Sequence, residues 1–329
     1  MKPPPEHTQS SDDEVLVDNT EPLALKSRKT SRLKRKMDRK SRMEAAKPHL
    51  LSLSPELLLY ILSFLRPSDI FRFQRTCKSG QSFTEHHDGA LARAIAAYRY
   101  PALTRCFPRP VLLENVDQMY RAALLDDHRQ RQLSLHRRPY AHIPSHDPDL
   151  LCSCLTCVLA WNNLCLLVDL AHWTEKSIAR REPIPMIQRG QNTDWNIALI
   201  EKHAAIVRRA VTSPLWHLMI LQRHLSTTIF SIRRYAPKDK DSPPTFHLTD
   251  EDVAAETDAF CARVGPPSYE FPLHRDTYYG LQTYLPNRGW SKSEERWRYQ
   301  PEDQHFADLR WVLERAEKEK RENEAAGRS

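Results

Sequence analysis

The chain has 329 residues, 40% of them hydrophobic, which allows one large or two modest domains with a buried core. It holds only 7 Gly against 24 Pro, which disfavours an α/β enzyme with phosphate-binding loops and favours helices interrupted by prolines. Its 7 Cys favour reduced thiols over a disulfide framework in so long a chain. From the Gly and Pro counts we expect a mostly α protein. We see no signal-peptide core and no uninterrupted apolar run of membrane-spanning length, so we expect it to be intracellular and without a membrane partner.

The net charge of +7 is distributed unevenly along the chain. Residues 1–25 carry a net −5, residues 26–47 carry +9, and the remainder carries only +3. The near-neutral remainder gives no reason to expect a nucleic-acid surface on the folded body.

Residues 1–47 contain few apolar side chains, and we expect them to form a disordered tail. Within this tail Lys34, Arg35 and Lys36 are typical of a nuclear import signal, and equally of a solvated basic tail. A clamp on the DNA or RNA backbone is less favoured, because no aromatic side chain is interleaved for base stacking.

The most specific segment of the sequence is apolar and runs from His49 to Phe83. Ser54 can cap a helix that begins at Pro55, because proline at the first helical position gives up no needed N–H. The leucines and isoleucines that follow recur at helical spacing and make this helix apolar nearly all round. A unit of roughly forty residues buries too little surface to cover both faces itself, so one face is expected to meet another polypeptide.

The order of residues in this segment resembles the F-box family. The matching positions are Leu53, Pro55-Glu56-Leu57, Leu58-Leu59, Ile61-Leu62-Ser63, Leu65, Pro67-Ser68-Asp69 and Thr76-Cys77. One departure is Ser54, where the family usually has proline. A serine still caps the helix, so we expect weaker preorganisation of this turn rather than loss of binding.

The resemblance implies a small three-helix F-box at residues 48–90, within a substrate-receptor subunit of a cullin-type (SCF) ubiquitin ligase. Its implied partners are a Skp-type adaptor, a cullin scaffold and a protein substrate that the sequence does not identify. The resemblance assigns the adaptor contact to eight side chains: Leu53, Pro55, Leu57, Leu58, Ile61, Leu62, Leu65 and Ile70. We assign no catalytic residue, no cofactor and no metal-binding residue from the sequence.

Residues 91–329 are expected to form an irregular multi-helix domain that binds the substrate. The predicted helices of the body are Gly89–Tyr100, Val111–His136, Trp195–Val211, Pro214–Tyr235, Asp250–Val264 and one that begins at Pro301. Between the last two, residues 265–301 combine prolines with aromatic and basic side chains, a composition found at recognition surfaces. Rings that fill gaps in the helical body give the same composition, and this simpler alternative is favoured.

Five residues that could bind zinc lie close together in the sequence: His142, His146, Cys152, Cys154 and Cys157. A helix start at Asp147–Asp149 would place the cysteines inside one long helix that continues to Trp173. On a helix Cys152 and Cys154 would point about 200° apart and could not share an ion. The sequence therefore favours buried core thiols, and it leaves the question of zinc open.

Motifs for catalysis are missing from the sequence: there is no Walker loop, dinucleotide glycine fingerprint, nucleophile elbow or HExxH. The leading hypothesis is therefore a binding module that recruits a protein for ubiquitination and carries out no bond chemistry. The alternative is a nuclear scaffold or nucleic-acid-associated protein that acts through the basic tail. Either hypothesis places the protein in the nucleus, the cytoplasm or both.

Overall fold

The computed structural model describes residues 27–45, 50–136, 144–180, 194–235, 248–263, 288–299 and 304–326. The architecture is mostly α, as the sequence predicts. The chain divides into two compact units, Met1–Ser52 and Leu53–Ser329. The predicted domain boundaries after residues 47 and 90 are not tested by this division and stay predictions.

Within its described residues the first unit contains one long helix, α1 (Arg28–Ala45), and a 3₁₀ turn at Leu50–Ser52. Its side chains are exposed at nearly every described position. Lysine and arginine are good helix formers, so a basic run can be helical even though it has little to bury. A helix thus occupies Arg28–Ala45, where we expected disorder, and the rest of the predicted tail lies outside the described residues.

The second unit contains twelve α-helices within its described residues. They are α2 (Pro55–Ser63), α3 (Pro67–Gln74), α4 (Lys78–His86), α5 (Asp88–Arg99), α6 (Pro101–Cys106), α7 (Gln118–Leu124), α8 (Asp127–His136), α9 (Leu155–Arg180), α10 (Asp194–Thr212), α11 (Pro214–Tyr235), α12 (Asp250–Ala255) and α13 (Gln304–Ala326). Two 3₁₀ turns, Leu113–Asn115 and Ala259–Ala262, lie between them. An antiparallel hairpin of β1 (Arg288–Ser291) and β2 (Arg296–Tyr299) precedes α13.

The structure corrects two predicted helices and adds an element that the sequence did not predict. The single helix predicted for Val111–His136 is a 3₁₀ turn followed by α7 and α8, because the Asp117 side chain caps a new helix by accepting from the Met119 N–H at 3.1 Å. The helix predicted for Asp250–Val264 ends at Ala255, since Glu256 adopts a left-handed conformation (φ 50°). The hairpin was not predicted at all.

The core of the second unit is formed where α9, α10 and α11 pack against one another. The α9 segment Leu155–His172 is long and apolar enough on average to cross a membrane by length and composition. It is not an uninterrupted apolar run, because Asn162, Asn163 and Asp169 lie within it. Half of this segment is buried, and Trp161 and Leu164 are fully enclosed. This burial is what the core helix of a helical body requires.

Helices α2 to α5 are fixed to the body by specific contacts. The Ser68 backbone N–H donates to Gln222 Oε1 at 3.0 Å, and Gln222 Nε2 donates to Ser68 Oγ at 2.9 Å, which joins α3 to α11. The Leu215 N–H at the start of α11 donates to Asp88 Oδ1 at the start of α5 (2.9 Å). These hydrogen bonds link the ends and sides of helices directly, so α3 and α5 are both joined to α11.

A buried carboxylate makes a further joint, between α6 and the second 3₁₀ turn. Asp258 Oδ2 accepts from the Ala102 and Leu103 backbone N–H groups at 2.8 and 2.7 Å, at the otherwise unpaired start of α6. The side chain is fully buried, and this desolvation raises its pKa to about 7.

Candidate functional site

Helix α2 presents an apolar face to solvent. Leu57 is 54% exposed, Tyr60 65%, Ile61 40% and Phe64, the residue that ends the helix, 42%. These positions follow the spacing i, i+3, i+4 and i+7, so they lie on one side of the helix. The helix is therefore apolar on two faces, as the sequence predicts, and the described residues of the chain leave one face uncovered.

The opposite face of α2 points into the protein. Leu58 and Leu62 are 2% and 1% exposed, and they lie where α2 packs against α5. On the next helix, Ile70 is fully buried, where α3 packs against α4 and α11. By spacing alone, Leu57, Leu58, Ile61 and Leu62 can form one continuous face of a helix. The structure instead divides them between the interior and the solvent.

The eight residues assigned to the adaptor contact differ in how far they are exposed to solvent. Pro55, Leu57 and Ile61 are exposed, Leu53 and Leu65 are half-buried, and Leu58, Leu62 and Ile70 are buried. In this structure the three buried side chains cannot touch a partner, because other helices of the same chain cover them, so they support the surface from below. Contact between a partner and the exposed residues stays a prediction.

One aromatic ring, that of Tyr98, extends this surface beyond α2. The Tyr60 and Phe64 ring centroids are 4.9 Å apart, and Phe64 and Tyr98 are 5.5 Å apart, both in edge-to-face geometry. Tyr98 lies on α5 and is 55% exposed. The sequence reading missed Tyr98, because only the packing of α5 on α2 brings it there. We call the exposed side chains of Leu57, Tyr60, Ile61, Phe64 and Tyr98 the docking face.

The start of α2 is built as the sequence predicts. Ser54 is the N-cap, with its Oγ 3.5 Å from the Leu57 N–H, and Pro55 opens the helix. Hydrogen bonds from the Glu56 backbone N–H and from Ser54 hold the pKa of the Glu56 carboxyl below its usual value. The 3.5 Å distance is long for a hydrogen bond. A long cap is consistent with the weaker preorganisation that we expect from serine at this position.

The corner between α2 and α3 is held by an arginine. Arg66 Nε donates to Asp69 Oδ2 at 2.7 Å, and its Nη1 lies 2.9 Å from Glu256 Oε2 at the end of α12. The hydrogen bond to Asp69 is the largest of the effects that raise the pKa of Arg66. This network ties the docking face to a segment almost two hundred residues further along the chain.

The aromatic stretch predicted as a recognition surface lies mainly outside the described residues. Its described part is the hairpin, where the Trp290 and Trp297 rings are 5.3 Å apart. Arg288 stacks over the Trp297 ring at 3.7 Å, and Trp297 Nε1 donates to the Arg263 carbonyl at 2.9 Å. These rings contact the protein itself, which favours the gap-filling alternative for residues 288–299.

The cysteines do not lie within one helix, so our geometric argument against a shared ion was wrong. Helix α9 begins at Leu155, and the aspartates at 147 and 149 belong to a turn instead. The Sγ atoms of Cys152, Cys154 and Cys157 converge with an imidazole nitrogen of His305 from α13. Of the two histidines proposed beside them, His146 lies outside this group and His142 lies outside the described residues. We call the four converging residues the Cys₃His cluster.

The thiols of the cluster differ in acidity. Hydrogen bonds from the Cys154 and Cys157 side chains lower the pKa of Cys152. Hydrogen bonding to Cys152, together with burial, raises the pKa of Cys154 and Cys157. The cluster thus stabilises a thiolate, which is the form of cysteine that binds metals and reacts.

Comparison with known proteins identifies the class of the docking segment. Residues 50–79 match the family model of the F-box domain. The chain therefore carries an F-box domain, as the resemblance indicates, and α2 and α3 lie within it. F-box domains bind Skp-type adaptors in SCF ubiquitin ligases, and proteins that contain them are generally adaptors rather than enzymes. No curated protein and no solved structure matches the chain.

Proposed function

We propose that this protein is a substrate-receptor subunit of a cullin-type ubiquitin ligase. The observation that carries the proposal is the docking face, which the chain leaves exposed inside a segment matched by the F-box model. A contiguous apolar surface of this kind on a folded protein marks an interaction site. The Skp-type adaptor would cover it, and the adaptor would connect the protein to the cullin scaffold.

The size of the docking face limits the free energy that it can contribute to adaptor binding. Its side chains are about half exposed, so burying the remainder of each yields about 1 kcal/mol, or roughly 5 kcal/mol for the whole face. Association costs about 4 kcal/mol or more before any net affinity appears. The docking face is therefore the centre of a larger interface, and further contacts by the adaptor must supply the rest.

The contacts between the F-box and the body support the receptor role. A receptor accelerates ubiquitin transfer by holding its target at a fixed position, so a rigid connection is useful. The hydrogen bonds of Ser68 with Gln222 and the Arg66 ion pair with Glu256 provide such a connection. The helical body would bind the target protein, whose identity and phosphorylation state the sequence does not specify. We place the protein in the nucleus, the cytoplasm or both.

Capture of the tagged full chain from cells tests the proposal. We expect the wild-type chain to co-purify a Skp-type adaptor and a cullin, and the double variant Leu57→Glu/Ile61→Glu to lose both. The matched control is Leu155→Glu/Ile197→Glu, which changes the same residue types at similar exposure, 58% and 45%, on α9 and α10. Loss of both partners from the control as well, or retention of both by the docking-face variant, would overturn the proposal.

A second candidate function rests on α1. Its eighteen residues are strongly basic and nearly all of its described side chains are exposed, as a helix that binds an acidic partner requires. A nuclear scaffold or nucleic-acid-associated protein would use this helix and not the docking face. Deletion of residues 1–47 separates the two candidates, because it should leave adaptor capture intact and abolish binding to nucleic acid.

A further inference from the structure

The Cys₃His cluster joins two parts of the chain that are far apart in sequence. Cys152, Cys154 and Cys157 come from the segment that leads into α9, and His305 comes from the first turn of α13. All four ligand atoms lie within 4.8 Å of one another. The three cysteines are at most 2% exposed and His305 is half-buried, so the cluster places three enclosed thiols beside an imidazole at the edge of the core.

The distances fit a tetrahedral zinc ion. With Zn–S bonds of about 2.3 Å and a Zn–N bond of about 2.0 Å, tetrahedral geometry places sulfurs about 3.8 Å apart and sulfur and nitrogen about 3.5 Å apart. His305 Nδ1 lies 3.3 Å from Cys154 Sγ and 3.6 Å from Cys157 Sγ. The four atoms therefore need only small shifts to surround one ion.

The backbone around the cluster is arranged to hold thiolates. The backbone N–H groups of Cys154, Cys157 and Val111 point at the sulfurs of Cys152, Cys154 and Cys157, with N···S distances of 3.5, 3.4 and 3.4 Å. Three directed donors on three sulfurs stabilise negative charge there. Ordinary core thiols need no such donors.

The surrounding side chains fix the segment that carries the cysteines. His146 Nε2 donates to the Cys152 carbonyl at 2.8 Å. On α13, Asp308 Oδ2 accepts from the Thr156 N–H and hydroxyl at 2.7 and 2.6 Å, one turn beyond His305. Outer contacts of this kind orient the ligands of metal sites.

A positively charged side chain, Arg129, lies near the thiols of the cluster. Three thiolates, a neutral imidazole and a divalent cation leave one negative charge. The partly buried Arg129 guanidinium acts electrostatically on Cys152 and Cys154, and its Nη2 donates to the Ser153 carbonyl between them at 2.7 Å. Arg129 therefore offsets part of the negative charge at the cluster, where the carboxylates of Asp308 and Asp126 also lie near this guanidinium.

We infer that Cys152, Cys154, Cys157 and His305 form a structural zinc site that fastens the start of α13 to the start of α9. Four protein ligands fill the tetrahedron and the sulfurs are buried, so no position is open to a substrate. The ion holds α13 where it already packs against α7 and α9. This site is separate from the docking face, and it extends the description of the protein beyond the proposed receptor function.

Metal analysis of the purified full chain, with any affinity tag removed, tests the inference. We expect about one equivalent of zinc per wild-type chain and loss of most of it in Cys157→Ser and His305→Asn. The matched control is Cys165→Ser, which changes a buried cysteine on the same helix outside the cluster and should keep the full equivalent. A folded wild-type chain without zinc would overturn the inference, as would equal zinc loss from the control.

A second measurement needs no variant, so misfolding of a ligand variant cannot obscure the result. Zinc in the wild-type chain is exchanged for Co²⁺, and the absorption spectrum is recorded. Three thiolates and one imidazole should give a thiolate-to-cobalt charge-transfer band and the intense d–d bands of tetrahedral Co²⁺. A weak octahedral spectrum would contradict the inference, and so would a Cys154–Cys157 disulfide found by mass spectrometry of the untreated chain.

Discussion

The buried carboxylate of Asp258 gives the sharpest test of how the body is held together. Two backbone N–H groups donate to Oδ2 and favour the ionised form, whereas complete burial disfavours it. Burial is the larger effect, and it raises the pKa to about 7 from 3.8. The folded state binds the proton more tightly than the unfolded state. Protonated Asp258 therefore contributes fully to the free energy of unfolding below about pH 4, and this contribution is lost as the pH rises through about 7.

The substitution Asp258→Asn removes this titration and keeps a side-chain oxygen that can accept both hydrogen bonds. A shift of about three pKa units corresponds to about 4 kcal/mol, of which roughly 2.5 kcal/mol falls between pH 5 and pH 8. We therefore expect the stability of the variant, relative to wild type, to rise by about 2 to 3 kcal/mol over that interval. Other titrating groups are common to both proteins and cancel in the difference.

Equilibrium urea unfolding of both proteins at pH 5 and pH 8 measures this difference. Midpoints and slopes should be compared at each pH, since equal slopes show that the same surface unfolds. A difference in stability that does not change with pH would refute the reasoning. A difference of opposite sign would show that the two N–H donors outweigh burial at Asp258.

Three further predictions concern other parts of the chain. His217 donates through Nε2 to the Phe107 carbonyl at 2.8 Å, and burial lowers its pKa to about 4, so stability should fall as the pH drops from 6.5 to 4. His217→Gln should reduce that acid loss by up to about 3 kcal/mol in urea unfolding, and an unchanged pH profile would contradict this. Tyr98→Ala should weaken adaptor binding by about 5- to 10-fold in calorimetry while the melting temperature stays within a few degrees, because its ring is more than half exposed. Deletion of residues 1–47 should change the adaptor dissociation constant by less than about twofold, since this segment lies outside the docking face; a larger loss would place part of the interface in the tail.

Where the sequence carries local signals, the fold could be predicted. Ser54 and Pro55 mark the start of α2, and the structure begins the helix at Pro55. Ser213 and Pro214 mark the turn between α10 and α11, and both helices appear with nearly the predicted bounds. Caps and prolines act through neighbouring residues, so a single sequence reveals them.

Features that depend on distant residues could not be predicted in the same way. The aspartates at 147 and 149 resemble a helix start, but backbone hydrogen bonds between the segments at 111–113 and 150–152 hold the cysteine segment extended, so α9 starts later. No local pattern connects His305 to Cys154 across 151 positions. The C-x-C-x₂-C spacing was the available signal, and a wrong helix boundary obscured it. Tyr98 was missed for the same reason, since α5 reaches the docking face only through tertiary packing.

The affinity of the purified full chain for a purified Skp-type adaptor tests the docking face most directly. Ile61→Glu places a carboxylate at the centre of the interface, which costs at least about 3 kcal/mol through lost apolar contact and desolvation of the charge. We therefore expect the dissociation constant to rise by about 100-fold or more, while Ile197→Glu on α10 changes it by less than about threefold. Equal affinities for wild type and Ile61→Glu would contradict the assignment of this surface to the adaptor.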